Sequence, residues 1–205
     1  MSLLARVQAR DLFDELEREQ EQPTDKIIEV RTGTILEKLV RQFEEYLAYG
    51  NMRKDLCEGL REIGECEEGI RARDIEKLSL FLNRYDRSEI FEVRAGDFLT
   101  CCFSDCKDYE INIYTTGWKN SPHHLSLQTD KRVTVYGNVG DCLGLCMTRG
   151  KITVNGNARG SVGSGMEGGT LSINGNFENL GLAYNCGGNI SHRGRQIVRN
   201  GGLII

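Results

Sequence analysis

RVTVYGNVGDCLGLCMTRG at residues 132–150, KITVNGNARGSVGSGMEGG at 151–169 and TLSINGNFENLGLAYNCGG at 170–188 are three copies of one 19-residue pattern. The copies follow one another without a gap, and a partial fourth copy begins at Asn189. A fixed period of this length is typical of proteins that stack one structural unit on the next. The sequence therefore predicts a β-solenoid of 19-residue coils from residue 132 onward.

The columns of the repeat indicate how the coils stack. Each copy opens with two apolar residues that flank a Thr or Ser, as in Val133-Thr134-Val135, so two side chains point inward and one outward. Stacking places equivalent side chains above one another at a rise of about 4.8 Å per coil. We expect the repeated glycines to supply positive φ angles at corners, and the repeated asparagines to form a ladder between coils. The glycines stand at 137, 156, 175 and 194 and at 150, 169 and 188, and the asparagines at 138, 157 and 176.

Coil length also bears on the hand of the solenoid. Left-handed solenoids are built from hexapeptides and repeat apolar residues at every sixth position. No such pattern occurs in these coils, and 19 residues with sides of unequal length fit a right-handed β-helix better.

The first 88 residues have helical periodicity instead. Their Glu-rich faces are interpreted as the solvated sides of amphipathic helices rather than as a binding surface. A short apolar stretch, Lys26–Val30, is predicted as a strand or an extended linker. The four predicted helices run from Leu3 to Gln22 before Pro23, from a Thr34 cap to Gly50, from Met52 to Ile63, and from near Ala72 to before Tyr85.

Residues 86–130 contain short, partly alternating apolar runs, which predict strands. Asn120-Ser121-Pro122 predicts a turn, and irregular coils are expected around Ile111–Ile113 and Leu125–Leu127. The predicted fold class is α+β: a helical domain at 1–88, then a single-stranded right-handed β-helix at 89–205. Its lead-in coils would occupy 89–131 and its regular repeats 132–205.

Charge supports this division. Residues 1–99 hold 23 acidic and 16 basic residues, a net charge of −7, and residues 100–205 hold 7 and 10, a net charge of +3. The basic residues form no clustered stripe, so nucleic acid is not an expected partner. No apolar run is long enough to span a bilayer, and the N-terminus does not resemble a signal peptide. A cytoplasmic protein without a membrane partner is therefore expected, with its eight cysteines reduced and mostly buried.

The coil at Lys151–Gly169 resembles the GXGXG repeat domain. The resemblance rests on Gly156-Asn157 and on the run Val162-Gly163-x-Gly165-Met166-x-Gly168-Gly169. That domain forms the C-terminal right-handed β-helix of the glutamate synthase large subunit and much of one of the formylmethanofuran dehydrogenase chains. The third coil departs from the pattern at Leu182 and Asn185. The resemblance implies an architectural role, with no catalytic residue to carry over.

Three patterns could carry chemistry, and each also has a structural explanation. Gly163-Ser-Gly165-Met-Glu-Gly168 spells G-x-G-x-x-G, but a dinucleotide site needs this motif between a strand and a helix. A β-repeat lies on both sides, so a repeat corner is favoured.

Cysteines and histidines are the second and third patterns. Cys101, Cys102 and Cys106, with Cys142 and Cys146, lack the paired spacing of a zinc ribbon, and burial is favoured over a metal site. Cys142, Cys146 and Cys186 share no column of the repeat. His123 and His124 are interpreted as loop residues, although a pair such as Cys101 with His123 stays open. His192 stands in an apolar column and is interpreted as marking the last coil, where it meets solvent or a cap.

These observations predict a non-catalytic architectural or protein-interaction module, without catalytic, cofactor-binding or metal-binding residues. It would belong to a homo-oligomer or to an amidotransferase or oxidoreductase complex. The alternative is an enzyme or cofactor protein with a Cys/His metal or thiol site in the lead-in region. Ligand binding in the seam between helices and solenoid leaves no mark in the sequence. The apolar end Leu203-Ile204-Ile205 is expected to cover the last coil or to insert into a partner.

Overall fold

The structure is a computed structural model, and it describes residues 34–49, 53–85, 90–182 and 187–204, with the side chains of 53–55 excepted. The predicted helix at Leu3–Gln22 and the apolar stretch at Lys26–Val30 lie outside these residues. The α+β fold class is confirmed: helices precede a β-solenoid. The right hand of the solenoid and the domain boundary after residue 88 stay predictions.

Four α-helices precede the first strand in the described part of the chain. They are α1 (Ile35–Tyr49), α2 (Arg53–Glu65), α3 (Ala72–Leu82), which continues into a 3₁₀ turn at Asn83–Tyr85, and α4 (Phe91–Asp105). The first three confirm the sequence prediction. Thr34 caps α1 as expected, since its hydroxyl accepts the Glu37 N–H at 3.3 Å and the Glu37 carboxylate accepts the Thr34 N–H at 3.4 Å.

Helix α4 corrects the sequence prediction, because strands and lead-in coils were expected over residues 89–105. The buried residues Phe91, Ala95, Phe98 and Cys102 recur every three or four positions, which is the period of one helix face. Gly96 lies in the middle of this run and interrupts it, so the sequence pattern predicts short separate segments. The lead-in region therefore begins with a helix rather than with an irregular coil.

Seven strands form one sheet in chain order. They are β1 (Glu110–Thr115), β2 (Arg132–Gly137), β3 (Lys151–Val154), β4 (Thr170–Ile173), β5 (Asn189–His192), β6 (Arg195–Arg199) and β7 (Gly202–Leu203). Strands β1 to β5 pair in parallel, and β5, β6 and β7 pair antiparallel. Each parallel neighbour is thus reached by one full coil of the chain.

The register of the sheet confirms the 19-residue repeat. Val133 pairs with Ile152, which pairs with Leu171, which pairs with Ile190. The coil before them is longer, since Ile111 pairs with Val133, 22 residues later. The two expected irregular segments belong to this one coil: Ile111–Ile113 lies in β1, and Leu125–Leu127 stacks on the next coil without forming a strand.

Apolar ladders fill the inside of the solenoid. Every aliphatic member of the two inward columns is at most 1% exposed, and the intervening Thr and Ser residues lie outward and are half-buried. The columns are Ile111, Val133, Ile152, Leu171 and Ile190, and Ile113, Val135, Val154 and Ile173. One coil cannot cover its own inward face, so each ladder is complete only in the stack.

Glycine is required for a different physical reason in each of the two glycine columns. This corrects the expectation that φ is positive throughout both. The column at 150, 169 and 188 has φ between 75° and 82°, so it does need left-handed backbone. In the other column φ is positive at Gly137 and Gly194 but not at Gly156, where a Cβ would lie 1.9 Å from the Gly137 carbonyl oxygen. Adjacent coils approach too closely at Gly156 for any side chain.

An antiparallel hairpin ends the sheet. Strand β6 turns back on β5, and β7 pairs with β6, so the partial fourth repeat does not continue as a coil. The Ile204 N–H donates to the Ile197 carbonyl at 2.8 Å, while Leu203 and Ile204 keep 56% and 41% of their surface exposed. The chain end extends the sheet instead of covering the last coil.

The helices pack against the opposite edge of the sheet, where α3 lies on β1. The Ser79 hydroxyl accepts the Tyr114 N–H at 3.0 Å, and the Ser79 carbonyl accepts the Trp118 indole N–H at 3.2 Å. Phe43 lies at the centre of the helical core, with ring centroids 5.1 Å from Phe98 and 6.2 Å from Phe91.

A disulfide between Cys57 and Cys101 joins α2 to α4, with Cα atoms 5.6 Å apart. This corrects the expectation that all cysteines are reduced thiols. Among the helices that the structure describes, none is long and apolar enough to cross a membrane.

Candidate functional site

The segment from Ser121 to Leu125, which we call the junction segment, runs between α4 and the coil at 132–150. The His123 N–H donates to the Glu92 carbonyl and the His124 N–H to the Asp141 carbonyl, both at 2.9 Å. Two glycines make room for it. A Cβ on Gly96 would lie 1.6 Å from the His123 carbonyl oxygen, and one on Gly140 would lie 1.9 Å from His123 Cδ2.

Charged side chains from three elements surround His123. Its Nε2 lies 3.3 Å from Glu92 Oε2, 3.8 Å from Asp141 Oδ2 and 3.4 Å from Arg159 Nη1. Arg159 Nη1 also lies 3.3 Å from Glu92 Oε1. We call these four residues the His123 cluster; it connects α4, the junction segment and two coils of the solenoid.

Burial sets the charge of this imidazole. The side chain is 13% exposed, and burial lowers the His123 pKa from its ordinary value, with Arg159 acting in the same direction. Glu92 and Asp141 oppose that shift without cancelling it. The imidazole is therefore neutral at neutral pH. Its contacts fix the position of the His123 side chain rather than hold a positive charge there.

His124 belongs to a neighbouring set of polar contacts. Its Nδ1 lies 3.8 Å from Asp97 Oδ1, and the Tyr46 hydroxyl donates to Asp97 Oδ2 at 3.5 Å. Arg94 covers the Tyr46 ring at 4.5 Å and donates to the Tyr46 carbonyl. These contacts join α1 to α4 and to the junction segment, and they read as structural.

A groove with a volume of about 430 Å³, which we call the asparagine groove, lies beside the His123 cluster. The asparagine column forms one wall of it. The Asn138 side-chain oxygen accepts the Asn157 N–H at 2.9 Å, and the Asn157 oxygen accepts the Asn176 N–H at 2.8 Å. The Asn176 oxygen accepts Arg193 Nη2 at 2.6 Å. The predicted asparagine ladder is therefore confirmed, with side-chain oxygens that bind backbone N–H groups of the next coil.

The rest of the lining combines apolar and charged residues. Val139, Ala158 and Phe177 form the column next to the asparagines, and Phe177 is its half-buried member. Arg159, Lys119 and Glu178 also line the groove. Arg159 belongs both to this lining and to the His123 cluster, so the two features are contiguous.

The G-x-G-x-x-G motif lies at a repeat corner, as the sequence predicted. No helix follows it: β3 precedes the motif and β4 comes next. Gly163 has φ of 75° and its counterpart Gly144 has φ of 76°. The Met166 N–H closes the turn onto the Gly163 carbonyl, and the Met147 N–H closes the equivalent turn in the coil before.

The lead-in cysteines lie inside the helical layer, away from a reactive arrangement. Cys101 is bonded to Cys57, which removes the open pairing of Cys101 with His123. Cys102 and Cys106 are buried, and burial raises the pKa of both thiols. A raised pKa disfavours the thiolate, which is the nucleophilic and metal-binding form.

The solenoid cysteines also lack a reactive arrangement. Cys142 and Cys146 occupy left-handed turns with φ of 58° and 51°. Burial and the neighbouring Asp141 raise the pKa of the Cys142 thiol. Cys186 lies outside the described residues. Within the described ranges, no three His, Cys, Asp or Glu side chains form a group that could hold a metal ion.

His192 lies at the end of β5, where its Nε2 is 2.9 Å from the Gly175 carbonyl oxygen and its ring meets Phe177 edge-on at 5.1 Å. It is followed by the closing hairpin, in agreement with its interpretation as a mark of the last coil.

Sequence reasoning missed the groove and the His123 cluster. The asparagine column was visible, but its orientation toward a concave surface was not. Arg159 and Glu92 lie 67 positions apart in the chain, so nothing local indicates that they meet.

Comparisons of the chain with protein-family models, with curated proteins and with solved structures give no match.

Proposed function

We propose that the chain is a non-catalytic architectural module of the GXGXG type that self-associates end to end, with the hairpin edge of its sheet against the helical layer that covers the opposite edge, which we call the helical edge. The observation that carries the proposal is the difference between these edges. The hairpin edge is basic and apolar, whereas the helical edge is acidic.

The hairpin edge combines exposed Arg193, Arg195 and Arg199 with exposed Leu203 and Ile204. In the described part of the chain none of the three arginines forms an ion pair. Residues 187–205 contain no acidic residue. An open strand edge with apolar and cationic side chains is suited to pairing with another chain.

The acidic surface lies on the other side. Glu62, Glu65, Glu67 and Glu68 are exposed at and after the end of α2. Lys107, which precedes β1, donates to the carbonyls of Cys66 and Glu67 at 3.1 and 3.0 Å, so this surface adjoins the β1 edge. A contact between unlike surfaces of identical chains is heterologous and gives rings or open chains.

Light scattering coupled to size exclusion tests the proposal on the full chain. We expect a mass above that of a monomer at low salt, and dissociation as salt screens the charges. Replacing Arg195 by Glu should give monomer at concentrations where the wild type associates.

Lys151→Glu is the matched control, because Lys151 is exposed on the long side of the solenoid, away from both edges. It should associate like the wild type. A wild-type monomer at every concentration and salt would overturn self-association. An equal loss in the control would show that net charge, rather than the hairpin edge, governs the contact.

A further inference from the structure

We propose that the asparagine groove binds a small organic anion: a phosphate or carboxylate group on an apolar or aromatic body. The site is defined by Asn138, Asn157, Asn176, Arg159, Lys119 and Phe177. It adjoins the hairpin edge through Arg193, which donates to Asn176, but Arg195 and Arg199 do not line it.

The first argument is the fixed orientation of the amides. Each of the three side-chain oxygens accepts a hydrogen bond from the protein, two from backbone N–H groups and one from Arg193. A backbone N–H can only donate, so the oxygens of Asn138 and Asn157 must face it. The Nδ2 groups of the three asparagines donate to no other residue that the structure describes.

The consequence is a wall that presents three Nδ2 donors, while each side-chain oxygen already accepts one hydrogen bond. Three exposed amide groups repeat along the groove at the coil rise of about 4.8 Å. Such a row complements a ligand with several acceptor oxygens. Neutral amide donors strengthen when the acceptor is charged, because hydrogen bonds to an ionised group are shorter and stronger.

Charge supports an anion as well. Arg159 and Lys119 bring two positive charges to the lining and Glu178 brings one negative charge, while the ion pair with Glu92 offsets part of the Arg159 charge. Arg159 is already held by Glu92 at 3.3 Å, which fixes the position of its guanidinium. A preorganised cation loses less conformational entropy on binding than a mobile one.

The Phe177 ring sets the second half of the ligand. Val139 and Ala158 are 2% and 6% exposed and belong to the hydrophobic core, whereas Phe177 is half-buried and contributes apolar surface to the lining. A volume of about 430 Å³ is within the usual range of small-molecule sites. An anionic group on the amide wall thus places the remainder of a small molecule beside the Phe177 ring.

Titration calorimetry on the full chain tests this with three probes: phenyl phosphate, phenylacetate and the uncharged benzyl alcohol. We expect at least one anion to bind and benzyl alcohol not to bind. Binding of phenyl phosphate alone identifies a phosphorylated ligand, and binding of phenylacetate alone identifies a carboxylate. If neither anion binds, or if benzyl alcohol binds as tightly, the proposal is wrong.

Asn157→Asp is the decisive variant. Its carboxylate still accepts the Asn176 N–H, so the ladder remains, but an anionic oxygen replaces the donor in the groove. Anion affinity should fall at least about tenfold, the loss expected for one hydrogen bond to a charged group.

Asn155→Asp is the matched control. It lies on the same coil and makes the same charge change, its oxygen accepts Asn174 Nδ2 at 2.7 Å, and it is not part of the groove lining. Affinity should change less than about twofold, since solvent and salt screen the added charge. Equal urea midpoints for the two variants would exclude a folding defect, and equal losses of affinity would overturn the assignment.

Discussion

The helical layer and the solenoid hold themselves together in different ways. In the helices, large aromatic side chains from distant positions meet in one core, as Phe43 does with Phe98 and Phe91. In the solenoid, each residue of the sheet stacks on the equivalent residue of the coil before and after. The first arrangement depends on the volume of side chains, and the second depends on the space between backbones. Substitutions should therefore act through different mechanisms in the two regions.

The largest effect is expected in the helical core. Phe43 is fully buried among aromatic rings, so Phe43→Ala should lower the free energy of unfolding by about 4 kcal/mol through lost contacts and a cavity. Urea unfolding followed by circular dichroism measures this. Tyr49→Ala, on the same helix but 81% exposed, should change stability by less than about 0.5 kcal/mol. Similar losses in both variants would contradict a core role for Phe43.

In the solenoid, adding one methyl group should be almost as harmful as removing a ring from the helices. The Cβ of Gly156→Ala would meet the backbone of the preceding coil at 1.9 Å, and backbone cannot rotate away as a side chain can. We expect a loss of about 3 kcal/mol, measured by urea unfolding.

Gly202→Ala provides the comparison for that substitution. A Cβ at Gly202 meets only the Arg199 carbonyl oxygen at 3.5 Å, an ordinary contact, and stability should stay within about 0.5 kcal/mol of the wild type. A mild effect of Gly156→Ala would show that adjacent coils can separate, contrary to the close stacking described above.

The smallest effect concerns the junction of the two regions. The His123 pKa is lowered in the folded protein, so the unfolded chain binds a proton more readily. The stabilisation is complete above the unfolded value, about pH 6.5, and is lost as pH falls through the folded pKa. His123→Gln should reduce the fall in unfolding free energy between about pH 7 and pH 5.

Ser121→Ala, in the same segment, carries no titrating group and should keep the wild-type slope. The groups that face His123 are Glu92, Asp141, Arg159 and His124. An unchanged slope in His123→Gln would contradict a lowered His123 pKa in the folded protein.

The sequence predicted those parts of the fold that repeat or have a simple period. The 19-residue columns indicated the register of β2 to β5, and Thr34 marked the start of α1, because both signals are local. Helix α4 was missed because Gly96 interrupts its apolar stripe, and the reason for that glycine, the His123 carbonyl, lies far along the chain. The expectation of a positive φ at Gly156 was wrong for a similar reason. Glycine is required both at a turn and where two backbones approach closely, so the sequence alone does not distinguish the two cases.

The candidate site could not be predicted from the sequence, because it depends on the three-dimensional positions of distant residues. The asparagine column was recognised as a ladder, but which of its atoms stay available depends on where backbone N–H groups lie. The His123 cluster needs α4, the junction segment and two coils in position at once. The Cys57–Cys101 disulfide likewise depends on α2 packing against α4, which spacing alone does not reveal.

The closing hairpin also determines how this chain can change length over evolutionary time. Because β6 runs antiparallel to β5, the parallel stack stops at β5, and the helices occupy the other edge. The solenoid can lengthen between these two ends, by in-frame duplication of an internal unit such as Lys151–Gly169. Each duplication would lengthen the solenoid by one rise of about 4.8 Å and add one amide to the groove, while both ends kept their own sequences.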